Sequence, residues 1–364
     1  MKTVKDINLE NKRVLVRVGF DVPIGNDGRV DEKEAWRIKK ALPTINYLLK
    51  RNCKIILAAH LDRPGGKVIE SLRLGPVQDK LSELLNLSVI RTQDCVGPAV
   101  EKIVSEMQKG EILLLENLRF YPQEEKNDLK FAKKLAKLAD IYINDAFSVC
   151  HRQHASIVGI AKYLPSAAGL LLVKEIKALS KILKVSKKPA IAIIGGIKIK
   201  TKLPMIKLLA QKFDWVLVGG AVANKIKNQK LKIKNIRLPV DYIFNKDKNS
   251  AYDIGPKTIA DFCRIISKAK VIVWNGPMGK FEDERFIKGT KEIAEAVAKS
   301  KAYKVVGGGD TVLALSRFHL INKIDFISTG GGAMLEFLTG KELPGLEALI
   351  RLKPDKFCAK SANK

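Results

Sequence analysis

The sequence predicts an α/β protein in two halves, each a parallel sheet covered by helices. Short runs rich in Val, Ile and Leu recur every few tens of residues. The segments between them space apolar residues three and four apart, the period of an amphipathic helix. The runs are apolar throughout instead of alternating, as in strands buried on both faces. At 364 residues the chain has room for about two domains.

In the first half the strand runs are Arg13 to Val18, Cys53 to Ala59, Glu111 to Leu115 and Asp140 to Ile143. Between them, Asn127 to Ala139 places Phe131, Leu135 and Leu138 on one helical face. Ala167 to Val185, bounded by Pro165 and Pro189, places Leu172, Ile176, Leu179 and Leu183 on one face. It reads as a helix joining the halves, suited to a hinge. The second half continues with Ala190 to Ile194, Trp215 to Val218, Val271 to Trp274, Tyr303 to Val306 and Asp325 to Ile327.

The residues just after each run distinguish the halves chemically. The second-half runs end in Gly195-Gly196, Gly219-Gly220, Asn275-Gly276-Pro277, Gly307-Gly308-Gly309 and Gly330-Gly331-Gly332. Glycine lets main chain approach a ligand closely, and a helix N-terminus offers unpaired N–H groups to anions. Five strand, glycine, helix junctions on one sheet edge therefore predict a phosphate or nucleotide site. The first-half runs lead instead into Arg17, His60, Arg63, Arg119, His151, Arg152 and His154, with Arg37 opening the first helical segment. Parallel strands send their C-terminal ends to one edge, so these groups can converge on a small polyanion.

Composition excludes several classes. With 66 Lys and Arg against 38 Asp and Glu the formal charge is +28, and 46% of residues are hydrophobic, so an acidic, disordered chain is ruled out. The longest apolar candidate, Ile157 to Val173, carries Lys162 and Pro165, and no membrane span is expected. The charged stretch Met1 to Arg13 lacks the apolar core of a secretory signal, so a cytoplasmic protein is expected. Five scattered cysteines (53, 95, 150, 263, 358), without a C-x-x-C pair, fit a reducing compartment better than a disulfide scaffold or zinc site. No P-loop, protein-kinase set, nucleophile elbow or H-E-x-x-H spacing is present.

Thirteen collinear strings carry a family resemblance: RVGFDVP (17 to 23), LPTI (42 to 45), AHLDRP (59 to 64), LLLENLRF (113 to 120), NDAF with HRQH (144 to 147, 151 to 154), GGIKIKTK (195 to 202), VGGAVA (218 to 223), LPVD (238 to 241), DIGP (253 to 256), WNGPMGKFE (274 to 282), GGGDT (307 to 311), STGGGA (328 to 333) and GKELPG (340 to 345). Over nearly its whole length the chain resembles phosphoglycerate kinase. The resemblance implies two Rossmann-like lobes: 1–166 binding 3-phosphoglycerate, a hinge helix over 167–185, 186–342 binding Mg-ADP or Mg-ATP, and 343–364 returning to the first lobe. It implies reversible phosphoryl transfer between 1,3-bisphosphoglycerate with ADP and 3-phosphoglycerate with ATP, after closure about the hinge, by a monomer. Positioning and charge stabilisation suffice for that chemistry, so no protein nucleophile is needed.

Carried over by position, the resemblance gives the substrate acid to Asp21, Arg37, His60, Arg63, Arg119 and Arg152. Arg37 and Lys198 would hold the migrating phosphoryl group. Lys202 would meet a nucleotide phosphate, Asp310 would hold Mg beside Thr311, Asn275 would lie next to the phosphates and Glu282 would accept from the ribose. Gly219, Gly220, Gly307, Gly308, Gly309, Gly330, Gly331 and Gly332 would line the nucleotide with main chain.

This chain departs from the family pattern in places. The family's RVDFNVP reads RVGFDVP, so Gly19 replaces an Asp and Asp21 an Asn; Asp62 replaces the glycine of HLGRP, and Ala221 the third glycine of a triplet. Loss of an acceptor for the substrate hydroxyl implies a raised Michaelis constant for 3-phosphoglycerate. Two other readings are weighed: a degenerate paralogue that binds nucleotide without efficient turnover, and a basic nucleic-acid binder. The run Lys225 to Arg237 has basic residues but no aromatic to stack bases, so no specific nucleic-acid partner is expected.

Overall fold

The structure, a computed structural model, describes residues 1–184, 188–197, 199–228, 233–246 and 250–351. It divides into two compact units, Met1–Ile176 with the segment from Glu342 on, and Lys177–Lys341.

In the first unit the sheet comprises β1 (Arg13–Arg17), β2 (Lys54–Ala58), β3 (Val89–Arg91), β4 (Ile112–Leu114), β5 (Ile141–Asn144) and β6 (Ser166–Ala168), in the order β3-β4-β2-β1-β5-β6. Every adjacent pair is parallel. Helices α1 (Trp36–Leu49), α2 (Gly75–Leu85), α3 (Pro98–Glu106), α4 (Pro122–Glu125) and α5 (Leu129–Lys137) lie between the strands in sequence. Val14, Leu15, Val16, Ile55, Ile56 and Leu57 are all fully buried, which is why these runs do not alternate. In α5, the Asp128 carboxylate caps the first turn by accepting the Phe131 N–H at 2.7 Å. Phe131 and Leu135 are buried, as is Leu138 just past the helix end.

Two expectations about the joining segment are corrected. Ser166–Ala168 is not helix but an edge strand paired with β5, and helix α6 runs from Leu170 to Lys184. The buried stripe of α6 is Leu171, Leu172, Glu175, Ala178, Leu179 and Ile182, whereas Leu183 is 40% exposed. Gly169 makes the corner between β6 and α6: a Cβ there would lie 2.1 Å from Asp145 Oδ1. Asp145 in turn accepts the Leu172 N–H at 3.0 Å, and Thr44 Oγ1 accepts that of Leu170 at 3.0 Å, so two buried side chains anchor the first turn of α6. The boundary between the two units falls inside this helix, after Ile176.

The second unit contains β7 (Ala190–Ile194), β8 (Trp215–Val218), β9 (Ile236–Arg237), β10 (Tyr242–Phe244), β11 (Ala251–Ile254), β12 (Val271–Asn275), β13 (Tyr303–Gly307) and β14 (Phe326–Ser328). Six of them form a parallel sheet in the order β14-β13-β12-β7-β8-β9, and β10 and β11 pair as an antiparallel hairpin. The helices are α7 (Ile199–Ala210), α8 (Gly220–Asn228), α9 (Pro256–Ile266), α10 (Lys288–Lys299), α11 (Gly309–Arg317) and α12 (Gly331–Leu338). All five residues of the central strand β12 are buried, and Trp274 Nε1 donates to the Gly276 carbonyl at 2.8 Å.

Helix α13 (Pro344–Arg351) belongs to the first unit, where the Gly345 N–H donates to the Cys150 carbonyl at 2.9 Å. Val185, Cys358 and the rest of the basic tail beyond Arg351 lie outside the described residues. Among the described residues no helix is long and apolar enough to cross a membrane.

Burial pushes the Asp145 carboxyl up to about 7, against the hydrogen bonds from Thr44, Leu172 and Leu171 that pull it down. A carboxyl raised on folding favours the native state when protonated, so its contribution is lost as pH rises from about 4 through about 7. The Asp145→Asn variant should therefore gain in melting temperature over the parent as pH rises from 5 to 8. A pH-independent difference between the two would show that Asp145 does not titrate in this window.

Candidate active site

The C-terminal edge of the first sheet gathers Arg17 and Asp21 from β1 and its loop, His60 and Arg63 after β2, Arg119 after β4, and His151, Arg152 and His154 after β5. Beneath them runs a buried polar chain. Arg17 is fully buried; its Nε donates to Ser156 Oγ at 2.9 Å, its Nη1 to the Val18 carbonyl at 2.6 Å, and its Nη2 to His60 Nδ1 at 3.0 Å. Ser156 donates both its hydroxyl (2.5 Å) and its N–H (2.9 Å) to the fully buried carboxylate of Glu124. Arg17 and Glu124 thus form a serine-bridged charge pair with no solvent exposure, which offsets the cost of burying either alone.

A guanidinium can only donate, so Arg17 fixes the His60 tautomer: Nδ1 accepts and Nε2 carries the hydrogen. Nε2 lies 3.8 Å from Asp21 Oδ2. Burial, reinforced by the positive charges of Arg17 and Arg119, holds the His60 imidazole well below its ordinary value. Burial and neighbouring arginines likewise lower His151 to about 4 and His154 to about 3. These imidazoles are neutral near pH 7, and the positive charge of this edge is carried by guanidinium groups.

Arg119 is buried, its N–H accepted by the Asn117 side chain at 3.1 Å. Its Nη1 donates to the Asp62 carbonyl at 2.8 Å, and its Nε lies 3.2 Å from Glu125 Oε1. Asp62, at φ +49° in the left-handed region that Asp tolerates, donates its N–H to Asp21 Oδ1 at 2.9 Å. Arg63 and Arg152 are exposed and have no carboxylate partner among the described residues. Arg37 comes from a helix, not from a strand end. In the first turn of α1, its Nε is 3.3 Å from Glu34 Oε2, and no hydrogen bond or ion pair joins it to the others. Arg17, expected among the converging groups, is withdrawn into the core; its position in an otherwise apolar run was the only sign of it. Glu124 and Ser156 left no sign in the sequence.

In the second unit, four glycine corners lead directly into helices: β7 to α7, β8 to α8, β13 to α11 and β14 to α12. The fifth is corrected, since β12 is followed by a loop from Gly276 and a short turn before α10 begins at Lys288. The corners interlock through main chain. The Gly195 N–H donates to the Asn275 carbonyl at 3.0 Å, that of Gly196 to the Pro277 carbonyl at 2.8 Å, and that of Gly220 to the Met278 carbonyl at 2.7 Å. Asn275 Nδ2 donates to the Gly307 carbonyl at 3.0 Å, and Thr311 Oγ1 accepts the Gly276 N–H at 2.7 Å. A Cβ on Gly195 would lie 2.0 Å from the Pro277 oxygen, and one on Gly220 2.6 Å from the Gly196 nitrogen. Only glycine permits this approach.

Gly308 (φ +96°) and Gly330 cap α11 and α12, with Gly309 and Gly331 opening those helices and Gly332 in the first turn of α12. Asp310 is exposed in the first turn of α11, with Thr311 buried behind it. Lys202 Nζ donates to the Gly195 carbonyl, which puts it at the β7 corner. Gly219, just past the end of β8, and Gly307, the last residue of β13, lie against Met278 and Met334 respectively. Glu282 is exposed beyond the β12 loop, and no hydrogen bond joins it to the corners. Lys198 lies outside the described residues.

One unit bearing excess guanidinium charge at its strand ends and another bearing glycine-lined helix N-termini define an α/β phosphotransferase. The phosphoglycerate kinase family model matches residues 4–236 and 227–341. Phosphoglycerate kinases of Moorella thermoacetica and Pelotomaculum thermopropionicum are 45% and 43% identical, covering 95% and 96% of this chain and 98% and 99% of those proteins. Among solved structures, the phosphoglycerate kinase of Pyrococcus horikoshii matches with a TM-score of 0.84 at 34% identity, over 96% of this chain and 98% of that one. That of Coxiella burnetii matches with a TM-score of 0.78 at 36% identity, over 95% and 98%. The chain belongs to the phosphoglycerate kinase family.

Two outcomes test the geometry. Imidazole NMR signals of His60, His151 and His154 should hold their positions from pH 8 to 5.5; a midpoint near 6.5 for any of the three would contradict its burial among arginines. Gly195→Ala should lower stability by about 1–3 kcal/mol, because its methyl group meets main chain that cannot yield. Unchanged thermal unfolding would show that the β7 and β12 corners are not in contact.

Proposed function

We propose that this chain catalyses the reversible transfer of a phosphoryl group between 1,3-bisphosphoglycerate with ADP and 3-phosphoglycerate with ATP, in glycolysis and gluconeogenesis. The observation that carries the reading is the edge of the first sheet. Arg63, Arg119 and Arg152 supply charged donors, His60 supplies a neutral N–H of fixed tautomer, and Asp21 supplies an acceptor. Guanidinium forks match phosphate and carboxylate oxygens, and a three-carbon phosphorylated acid presents both.

On the nucleotide side, the helix N-termini after Gly308 and Gly330 and the N–H groups of the glycine corners receive phosphate oxygens. Gly219 and Gly220 border the nucleotide, Asn275 and Thr311 stand by its phosphates, Lys202 neutralises one of them, and Glu282 accepts from the ribose. Arg37 and Lys198 stabilise the charge that spreads over the migrating group, an effect largest in the transition state. Turnover requires the two bound substrates to be brought together, with α6 as the connecting element.

Mg2+ takes oxygen ligands and commonly combines one or two carboxylates with water and phosphate oxygens. The chain fits this manner of binding: Asp310 is an exposed carboxylate in the first turn of α11, at the Gly307-Gly308-Gly309 corner. Asp310 would hold the ion, which when bound neutralises charge on the nucleotide phosphates. In this role the protein acts as a cytoplasmic monomer. Free Cys53, Cys95, Cys150 and Cys263 fit a reducing compartment.

Titrating each substrate in both directions tests the function, and failure to form ATP from 1,3-bisphosphoglycerate and ADP would refute it. Arg119→Ala should raise the KM for 3-phosphoglycerate by about 10- to 100-fold, the worth of a charged hydrogen bond. Lys198→Ala should lower kcat more than it weakens nucleotide binding. Asp310→Ala should impair use of the Mg-nucleotide while leaving the affinity for 3-phosphoglycerate in place.

A further inference from the structure

Gly19 and Ser148 face each other across the loops that follow β1 and β5. Gly19 lies in the loop after β1, two residues before Asp21. Ser148 lies in the turn Phe147–Val149 after β5, four residues before Arg152. β1 and β5 are parallel neighbours, with Arg17 opposite Asn144, so both loops leave the sheet at the same edge and side by side. A Cβ built on Gly19 would meet Ser148 Oγ at 3.0 Å and no other atom within 4 Å. The serine hydroxyl therefore borders the space that a side chain at position 19 would claim. It is half-buried and has no hydrogen-bond partner among the described residues.

The ligand chemistry of the site is rich in donors and poor in acceptors. Arg63, Arg119, Arg152 and the His60 N–H can only donate. They suit the oxygens of a phosphate and a carboxylate, but the hydroxyl of a glycerate also requires an acceptor. The Asp21 carboxylate can accept, though its Oδ1 is already engaged by the Asp62 N–H, and it adds negative charge beside an anion. A serine hydroxyl both accepts and donates without adding charge.

We propose that Ser148 is a substrate-binding, specificity-determining residue whose hydroxyl, beside the space left open by Gly19, hydrogen-bonds the C2 hydroxyl of the three-carbon acid. The inference rests on the proposed function, because it requires a 2-hydroxy acid in the site. Positions 19 and 148 then form an exchangeable pair: one carries the polar group and the other leaves room for it.

The test measures 3-phosphoglycerate in two ways, as KM in the coupled assay and as Kd by calorimetry without nucleotide, for the parent and for Ser148→Ala. The deoxy analogue lacking the C2 hydroxyl, 3-phosphonooxypropanoate, is titrated alongside. Ser148→Ala should weaken 3-phosphoglycerate about 3- to 10-fold, the range of a neutral hydrogen bond, with kcat changed less than KM and the Kd of the deoxy analogue unchanged. A purely structural serine would weaken both ligands alike. Gly19→Asp with Ser148→Gly, which moves the acceptor from position 148 to position 19, should recover the 3-phosphoglycerate binding that Ser148→Ala loses. If Ser148→Ala leaves KM and Kd within twofold of the parent, or weakens both ligands equally, the inference falls while turnover by the parent keeps the proposed function intact. A parent protein that binds no 3-phosphoglycerate overturns both.

Discussion

Parallel strands leave all their C-terminal ends on one edge, and most of the candidate site residues in either unit sit where they do because of that constraint. In the first sheet it brings residues from loops far apart in sequence, Asp21, His60, Arg119 and Arg152, to one place. Crowding guanidinium groups there costs free energy, and the structure limits that cost in two ways. Buried imidazoles stay neutral, and the one fully buried guanidinium among the described residues, that of Arg17, is matched through Ser156 by Glu124. The uncompensated charge lies on exposed side chains, where an incoming anion can meet it.

The second sheet answers the same constraint with main chain. Four of its strands turn at glycine straight into a helix, so N–H groups and the positive ends of helix dipoles point out of the same edge. The close approaches of Gly195 to Pro277 and of Gly220 to Gly196 lock neighbouring corners together. The glycines whose backbone is proposed to bind the nucleotide are thus also those that fix the shape of the edge.

Much of this was legible in the sequence because its signals are local. Unalternated apolar runs gave the central strands, and the glycine pairs and triplets marked their ends. Short edge strands carry no such signal: Val89–Arg91 has three residues and Ser166–Ala168 has no branched side chain, so the apolar pattern alone starts the joining helix three residues before Leu170. The loop after β12 was hidden because Gly276-Pro277 looks like the other corners. Arg17 read as a ligand group because an arginine's burial depends on a carboxylate from another part of the chain, here Glu124, 107 positions away by number (124 − 17). The pairing of Gly19 with Ser148 was equally invisible, since only the register of β1 with β5 brings them together.

A crystal structure with 3-phosphoglycerate and ADP bound is the most direct test. The acid should lie on Arg63, Arg119, Arg152 and the His60 N–H of the first unit, and the ADP phosphates on the glycine corners and the α11 and α12 N-termini of the second. An acid bound away from the strand ends of the first sheet, or both ligands held by one unit, would contradict this division of labour.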